Sequence, residues 1–193
     1  MGREFELKYA ADQAALEILK GRYPNLRVIS METAYYDTPE RKLSARRWTL
    51  RRRRENGASI CTLKTPLPDG SRGEWEVEAP HIEKGIGDLC ACGAPRELAV
   101  LTAPGVIQIC GARFTRLAAT IELEKSTVEL ALDSGALLGG GRELPFTEVE
   151  VELKSGDETA AVAFAQALAA EFGLKAEAKS KYRRALDLAK GDT

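Results

Sequence analysis

Two segments at opposite ends of the 193-residue chain carry charged residues at every second position: Glu4, Glu6 and Lys8, then Glu148, Glu150 and Glu152. A period of two is that of a β-strand, so each set shares one face of its strand. Clustered carboxylates suit a hard divalent cation such as Mg²⁺ or Mn²⁺. Bases recur at the same spacing: Arg51 and Arg53, then Lys64, Arg72, and one or both of Arg113 and Arg116. Their guanidinium and ammonium groups match phosphate oxygens, arginine in bidentate fashion. Glu74, Glu76, Glu78, Glu129 and Asp133 add further acids to strand-like faces. A metal-bound polyphosphate is one ligand that uses both signs at once.

Any one of these strand faces could simply be solvated. Their recurrence argues for more, because ordinary outward faces mix charge with Thr, Ser, Asn and Gln, whereas these are nearly pure charge. The opposite faces, such as Phe5, Leu7, Leu130, Leu132, Val149 and Val151, are apolar and need covering. If about eight antiparallel strands close into a barrel with apolar faces outward, the charged faces line a tunnel. Burying those charges dry would cost several kcal/mol per ion, so the tunnel must be hydrated or filled by a ligand that pairs with both signs. The expected fold is therefore α+β, an eight-stranded antiparallel barrel with helices packed outside.

The elements that would position these residues follow from caps and turns. Asp12 caps a helix over 12–22, stopped by Pro24. Strands are expected at 27–37, 48–54 and 59–64, the last two joined by the hairpin turn Asn56-Gly57. A strand at 72–78 follows a loop, and glycines and Pro95 divide 81–104 into short helical pieces. Further strands are expected at 106–110, 114–125 (bent or broken), 127–133 and 147–154. Ser134-Gly135 reads as a turn and Gly139-Gly140-Gly141 as a loop. Asp157 caps a long helix that ends at Gly173, and a last helix spans 180–190. No linker or repeat interrupts the chain, so 1–193 reads as a single domain.

Composition removes several function classes. A net charge of −1 and a pI near 6.0 give no basic field for nucleic acid. No apolar run is long enough to span a membrane, and the N-terminus has no basic-then-apolar leader, so a cytoplasmic location is expected. One histidine, His81, rules out a histidine triad or a multi-histidine metal site. The cysteines Cys61, Cys90, Cys92 and Cys110 lack zinc-knuckle spacing and read as buried free thiols. There is no Gly-Lys-Ser/Thr phosphate loop.

Taken in order, the motifs resemble those of the CYTH superfamily, the triphosphate tunnel metalloenzymes. Glu4-x-Glu6-x-Lys8 matches its opening ExExK signature. Tyr35-Tyr36-Asp37-Thr38-Pro39, Leu50-Arg51-Arg52-Arg53, Thr62-Leu63-Lys64 and Arg72-x-Glu74-x-Glu76 follow. Next come Phe114-x-Arg116, Glu129-x-Ala131-x-Asp133-x-Gly135, Glu148-x-Glu150-x-Glu152-Leu153 and Ser180-Lys181, so the resemblance covers nearly the whole chain. It implies a tunnel barrel that hydrolyses or rearranges a small-molecule triphosphate with Mg²⁺ or Mn²⁺. Glu4, Glu6, Glu150 and Glu152 then look like metal ligands, with Glu148 as an addition. Lys8, Arg51, Arg53, Lys64, Arg72, Arg116 or Arg113, and Lys181 look like the triphosphate cradle, to which Arg183 and Arg184 could add. Glu129 and Asp133 would orient water or a second metal, and Lys8 pairs in some relatives with a tyrosine matching Tyr35. The motif order most resembles bacterial inorganic triphosphatases, acting as monomer or homodimer. Thiamine or nucleoside triphosphatase, class IV adenylate cyclase, and a non-catalytic polyphosphate-binding module remain the alternatives.

Overall fold

The computed structural model describes residues 5–68 and 72–191, which leaves Glu4 outside the described residues. Strand β1 (Glu6–Ala10) leads into helix α1 (Gln13–Arg22), where the Asp12 carboxylate accepts from the Ala15 amide at 2.7 Å. Strand β2 (Arg27–Asp37) and the short α2 (Lys42–Ala45) precede the hairpin of β3 (Thr49–Glu55) and β4 (Ala58–Pro66). Its turn puts Asn56 and Gly57 at φ 49° and 95°, the left-handed pair such a turn requires. Strand β5 (Arg72–Glu78) is followed by α3 (Ile82–Ala91) and α4 (Glu97–Thr102). Three long strands come next, β6 (Ile107–Glu122), β7 (Ser126–Gly139) and β8 (Arg142–Gly156). Helix α5 (Glu158–Phe172), the two-residue β9 (Lys175–Ala176) and α6 (Lys181–Lys190) complete the order.

All strands belong to one antiparallel sheet, ordered β5-β4-β3-β2-β6-β7-β8-β1-β9. The sheet curls without closing by hydrogen bonds among the described residues. The outer edge of β1 is taken in part by β9, through Tyr9↔Ala176 and Ala10↔Lys175. No described residue of β1 pairs with β5.

The apolar face of the sheet is convex and covered as its pattern demands. Val128, Leu130, Leu132, Val149 and Val151 pack with Leu16 and Leu19 of α1 and with Ala161, Ala165 and Leu168 of α5. Leu50, Cys61 and Leu63 pack with Ile82, Leu89 and Leu98 of α3 and α4, beside Trp48 and Trp75. Helix α6 differs from the expectation of helices outside only, because it lies against the concave face. That face carries an apolar patch of Met31, Tyr35, Ala112, Phe114 and Phe146, which Ala185, Leu186 and Leu188 cover.

Two further expectations are corrected. The segments at 106–110 and 114–125 are one continuous strand, because Gly111 and Ala112 stay in register with Leu138 and Leu137. Ser134-Gly135 is not a turn; Gly135 pairs with both Phe114 and Phe146. Its missing side chain leaves room for those rings to meet edge to face, with centroids 5.6 Å apart. The chain turns instead at Gly140 and Gly141, both at positive φ. Of the cysteines, Cys61 and Cys110 are buried as expected, Cys90 is half-buried, and Cys92, near the C-terminal end of α3, is exposed.

Candidate active site

The register of the sheet decides which charges meet. Glu6 of β1 stands opposite Glu152 of β8, which stands opposite Glu129 of β7, so three strands form one row of carboxylates. In the next row Lys8 faces Glu150. One row further, Glu148, Asp133 and Arg116 are successive neighbours across β8, β7 and β6. On the other arm, Tyr35, Arg51, Thr62 and Glu76 form a row from β2 to β5, and Thr49, Lys64 and Glu74 form the next.

The curl turns these arms towards each other around a cavity of about 860 Å³. Arg51, Arg53, Lys64 and Arg72 line one wall, and Glu6, Glu129, Glu150 and Glu152 the other. Lys8, Tyr35, Arg116 and the α6 residues Lys181 and Arg183 also line it. The strands that begin and end the sheet thus contribute to one space.

The cationic wall also carries the acids Glu55, Glu74 and Glu76. Arg51 reaches Glu74 and Glu76 at 3.8 and 3.6 Å, and Lys64 reaches Glu74 at 3.2 Å. Arg72 donates to the Thr49 hydroxyl at 3.3 Å. Arg53 pairs with Glu55, yet its pKa is pushed down, first by burial and then by the adjacent Arg51 guanidinium. A cation held beside another cation away from water is stabilised by an arriving anion.

Behind the acidic wall lies a tight ionic core. Asp133 accepts from Nε and an Nη of Arg116, each at 2.8 Å, and receives the Lys181 ammonium at 2.7 Å. Lys181 also pairs with Glu150 at 2.9 Å and with Glu148, and its ammonium lies 5.0 Å from the centre of the Phe114 ring. Arg184 pairs with Glu148, and Arg116 with Glu150. Burial alone would lower the Lys181 pKa, but Asp133, Glu150 and Glu148 hold it above its ordinary value. Burial pulls Glu150 the other way, and Lys181 and Arg116 overcome it, keeping that carboxyl well below the usual range. Glu148 is raised, by burial first and with Glu150 adding to it.

Several sequence expectations are redistributed. Arg113 leaves the cradle: it alternates with Phe114 and Arg116, so it points outward, exposed, and pairs with Glu143 at 3.2 Å. Asp133 and Glu148 are fully buried and do not line the cavity, being covered by Arg116, Lys181 and Arg184. Lys8 pairs with Glu6 at 2.8 Å, and no hydrogen bond joins it to Tyr35 among the described residues. Tyr35 instead meets the Tyr182 ring, with centroids 5.0 Å apart, because β1 and β2 are separated by three strands.

Sequence reasoning also passed over a brace. The Asp37 carboxylate accepts from the amides of Thr38, Leu43 and Ser44 at 2.8–3.0 Å and from the Ser44 hydroxyl, which lies 3.1 Å from the Tyr182 hydroxyl. It joins the end of β2 to the helix that carries Lys181. The aspartate of Tyr-Tyr-Asp-Thr-Pro was the available signal, but in sequence it reads as a turn former.

Residues 2–186 match the CYTH domain family. The chain belongs to it. An inorganic triphosphatase of Haemophilus influenzae is 30% identical over 152 residues, which are 78% of this chain and 43% of that protein. The CYTH chain thus spans less than half the length of that relative. Among solved structures, the PH1819 protein from Pyrococcus horikoshii OT3 superposes with a TM-score of 0.63 at 23% identity, covering 96% of this chain and 99% of that one. The Hippeastrum protein HpAC1, which has a dominant triphosphatase activity, gives 0.63 at 17% identity, covering 98% and 96%. At these identities the two structures speak for the CYTH fold alone. No helix among the described residues of the CYTH domain is long and apolar enough to cross a membrane.

Two carboxylate groups of the CYTH domain could receive a divalent cation, and they differ in fit. Asp133, Glu148 and Glu150 bring oxygens within 4.8 Å of one another. Their three negative charges are already matched by three mostly covered cations, Arg116, Lys181 and Arg184, so a further divalent charge there would be uncompensated. The row of Glu6, Glu152 and Glu129 opens on the cavity, and two of the cations on it, Lys154 and Arg27, are 42% and 64% exposed and free to withdraw. All-oxygen donors on an open wall suit Mg²⁺ or Mn²⁺.

Proposed function

We propose that the protein is a metal-dependent hydrolase that cleaves the terminal phosphoanhydride of inorganic tripolyphosphate, with Mg²⁺ or Mn²⁺ as cofactor. One observation carries this reading: a cavity of about 860 Å³ with a cationic wall on β3–β5 facing an acidic wall on β1, β7 and β8. The Haemophilus relative is an inorganic triphosphatase, which supports the same reaction class. The aromatics support a bare triphosphate over a nucleotide. Trp48 and Trp75 pack on the convex face, and Tyr35, Tyr182 and Phe114 are engaged with one another or with Lys181.

A metal held by Glu6 and Glu152, with Glu4 just before Glu6 in sequence and Glu150 on the row behind, would neutralise phosphate oxygens and polarise the terminal phosphorus. Arg51, Arg53, Lys64 and Arg72 grip the remaining phosphates and stabilise the charge that develops on the leaving group. Arg116 and Lys8 hold the terminal phosphate against the acidic wall, and Arg183 guides the substrate at the mouth. A water oxygen bonds to the terminal phosphorus as the bond to the bridging oxygen breaks, giving orthophosphate and pyrophosphate. Glu129, at the end of the carboxylate row, takes the water's proton. Asp133 and Glu148 act one step back, fixing Arg116 and Lys181. Burial keeps the Tyr35 phenol protonated, so it serves as a hydrogen-bond donor.

The test is phosphate release from tripolyphosphate, thiamine triphosphate and ATP, each with Mg²⁺ or Mn²⁺, together with an assay for cyclic AMP. Preferred release from tripolyphosphate supports the proposal. Preference for thiamine triphosphate or ATP, or cyclic AMP formation, replaces the substrate; tight tripolyphosphate binding without turnover replaces the enzyme with a binding module.

A further inference from the structure

Lys154 stands just after the Glu148-x-Glu150-x-Glu152 strand segment and lines the cavity. The β7–β8 register shifts there: Val128 pairs with Leu153 and Thr127 with Ser155, so Lys154 is the extra residue of a β-bulge, with no partner opposite. Bulges re-aim side chains, and they concentrate beside functional sites. Here the ammonium sits 2.8 Å from Glu152 and 3.9 Å from Glu129, the two carboxylates that face each other across the strands. Like charges directly opposite destabilise a sheet, so a cation between them is needed whenever no other is present. Arg27, 64% exposed, reaches Glu129 alone at 3.4 Å, whereas Lys154 spans both carboxylates with one positive charge on a tether that is 42% exposed. Lys181 contrasts with it, being 10% exposed and held by three carboxylates. The first can leave at little cost, and the second cannot.

We propose that Lys154 is a built-in counter-ion that holds the Glu129–Glu152 pair in the metal-free protein and must swing into solvent when a divalent cation binds, so that it sets the metal affinity of the site. The inference rests on the reading of this cavity as a metal site. It gives the bulge a purpose: an unpaired backbone position lets the lysine release without disturbing the Val128–Leu153 packing beneath it.

The experiment is Mn²⁺ binding to the full chain without substrate, by calorimetry and by the loss of free-Mn²⁺ paramagnetic resonance signal. The variants are Lys154→Met, Lys154→Arg and Lys179→Ala. Lys179 lies on the cavity rim and pairs with Asp187 at 2.9 Å, so its removal takes the same charge from the mouth without touching the carboxylate row. Lys154→Met is expected to tighten Mn²⁺ binding about three- to tenfold, the size of a lost partly exposed ion pair plus one relieved like-charge contact. It should also lower the Tm of the metal-free protein but not of the metal-bound one. Lys154→Arg should stay within about twofold of wild type, keeping the pair. Unchanged or weaker binding in Lys154→Met overturns the inference, as does an equal gain in Lys179→Ala, which would mean a general field effect. Mn²⁺ binding by wild type with no gain in the variant removes this inference alone; no binding by any form removes the metal reading as well.

Discussion

Replacing Lys181 by methionine would remove the cation shared by Asp133, Glu148 and Glu150 while keeping a side chain of similar length over Phe114 and Phe146. Three carboxylates would then face only Arg116 and Arg184. Breaking a buried pair by deleting one partner costs about 3–5 kcal/mol. For a chain of this length each kcal/mol moves Tm by about 2–4 °C, so a fall of about 6–20 °C is expected. The pH dependence gives a sharper signature. Without Lys181 the buried acids should have folded-state pKa values above their unfolded ones, and such groups favour the fold at low pH and lose that contribution as pH rises. The Tm gap to wild type should therefore narrow from pH 8 to pH 5. Wild type should behave oppositely below about pH 4.5, where Glu150, held low by Lys181 and Arg116, loses its contribution on protonation. Adding Glu148→Gln to Lys181→Met should recover part of the loss, because it deletes the charge that burial already disfavours. Thermal melts by circular dichroism at pH 5, 6.5 and 8 test this. A Tm within about 2 °C of wild type, or a gap that widens at low pH, would refute the view that these charges form one balanced core.

Arg53→Ala should raise the KM for tripolyphosphate at least tenfold, since a charge-assisted hydrogen bond contributes about 1.5–3 kcal/mol, with a smaller effect on kcat in steady-state phosphate release. Arg113→Ala, on the outer face, should leave both constants within about twofold in the same assay, as exposed pairs contribute little. Asp37→Ala should lower stability by at least about 2 kcal/mol in urea denaturation, because three backbone amides lose their acceptor. Ser44→Ala should cost far less there.

The alternation of charge made most of the cavity legible, since a period of two needs no tertiary knowledge to assign faces. The hairpin at Asn56-Gly57 and the caps at Asp12 and Asp157 were legible for the same local reason. Register was not. Whether Arg113 or Arg116 enters the cavity depends on β6 running unbroken through Gly111, which glycine content alone argues against. Nor does the pattern reveal that α6 fills the concave side, because Phe114 and Phe146 share that face with the charges and look like strand residues of either kind. Asp133 and Glu148 carry the same spacing as Glu129 and Glu150 and differ only in being covered by α6 cations. The bulge at Lys154 exists only as a difference in register between two strands.

On the proposed reading, the acidic wall holds a metal that the reaction needs. Its most direct test is phosphate release from tripolyphosphate by wild type and by Glu152→Gln, across a titration of Mg²⁺ and of Mn²⁺, with circular dichroism to confirm folding. Turnover by wild type that is abolished by chelation, and a folded Glu152→Gln protein without metal-dependent turnover, is the predicted result. Full activity of Glu152→Gln, or wild-type turnover that persists in chelator, would contradict it.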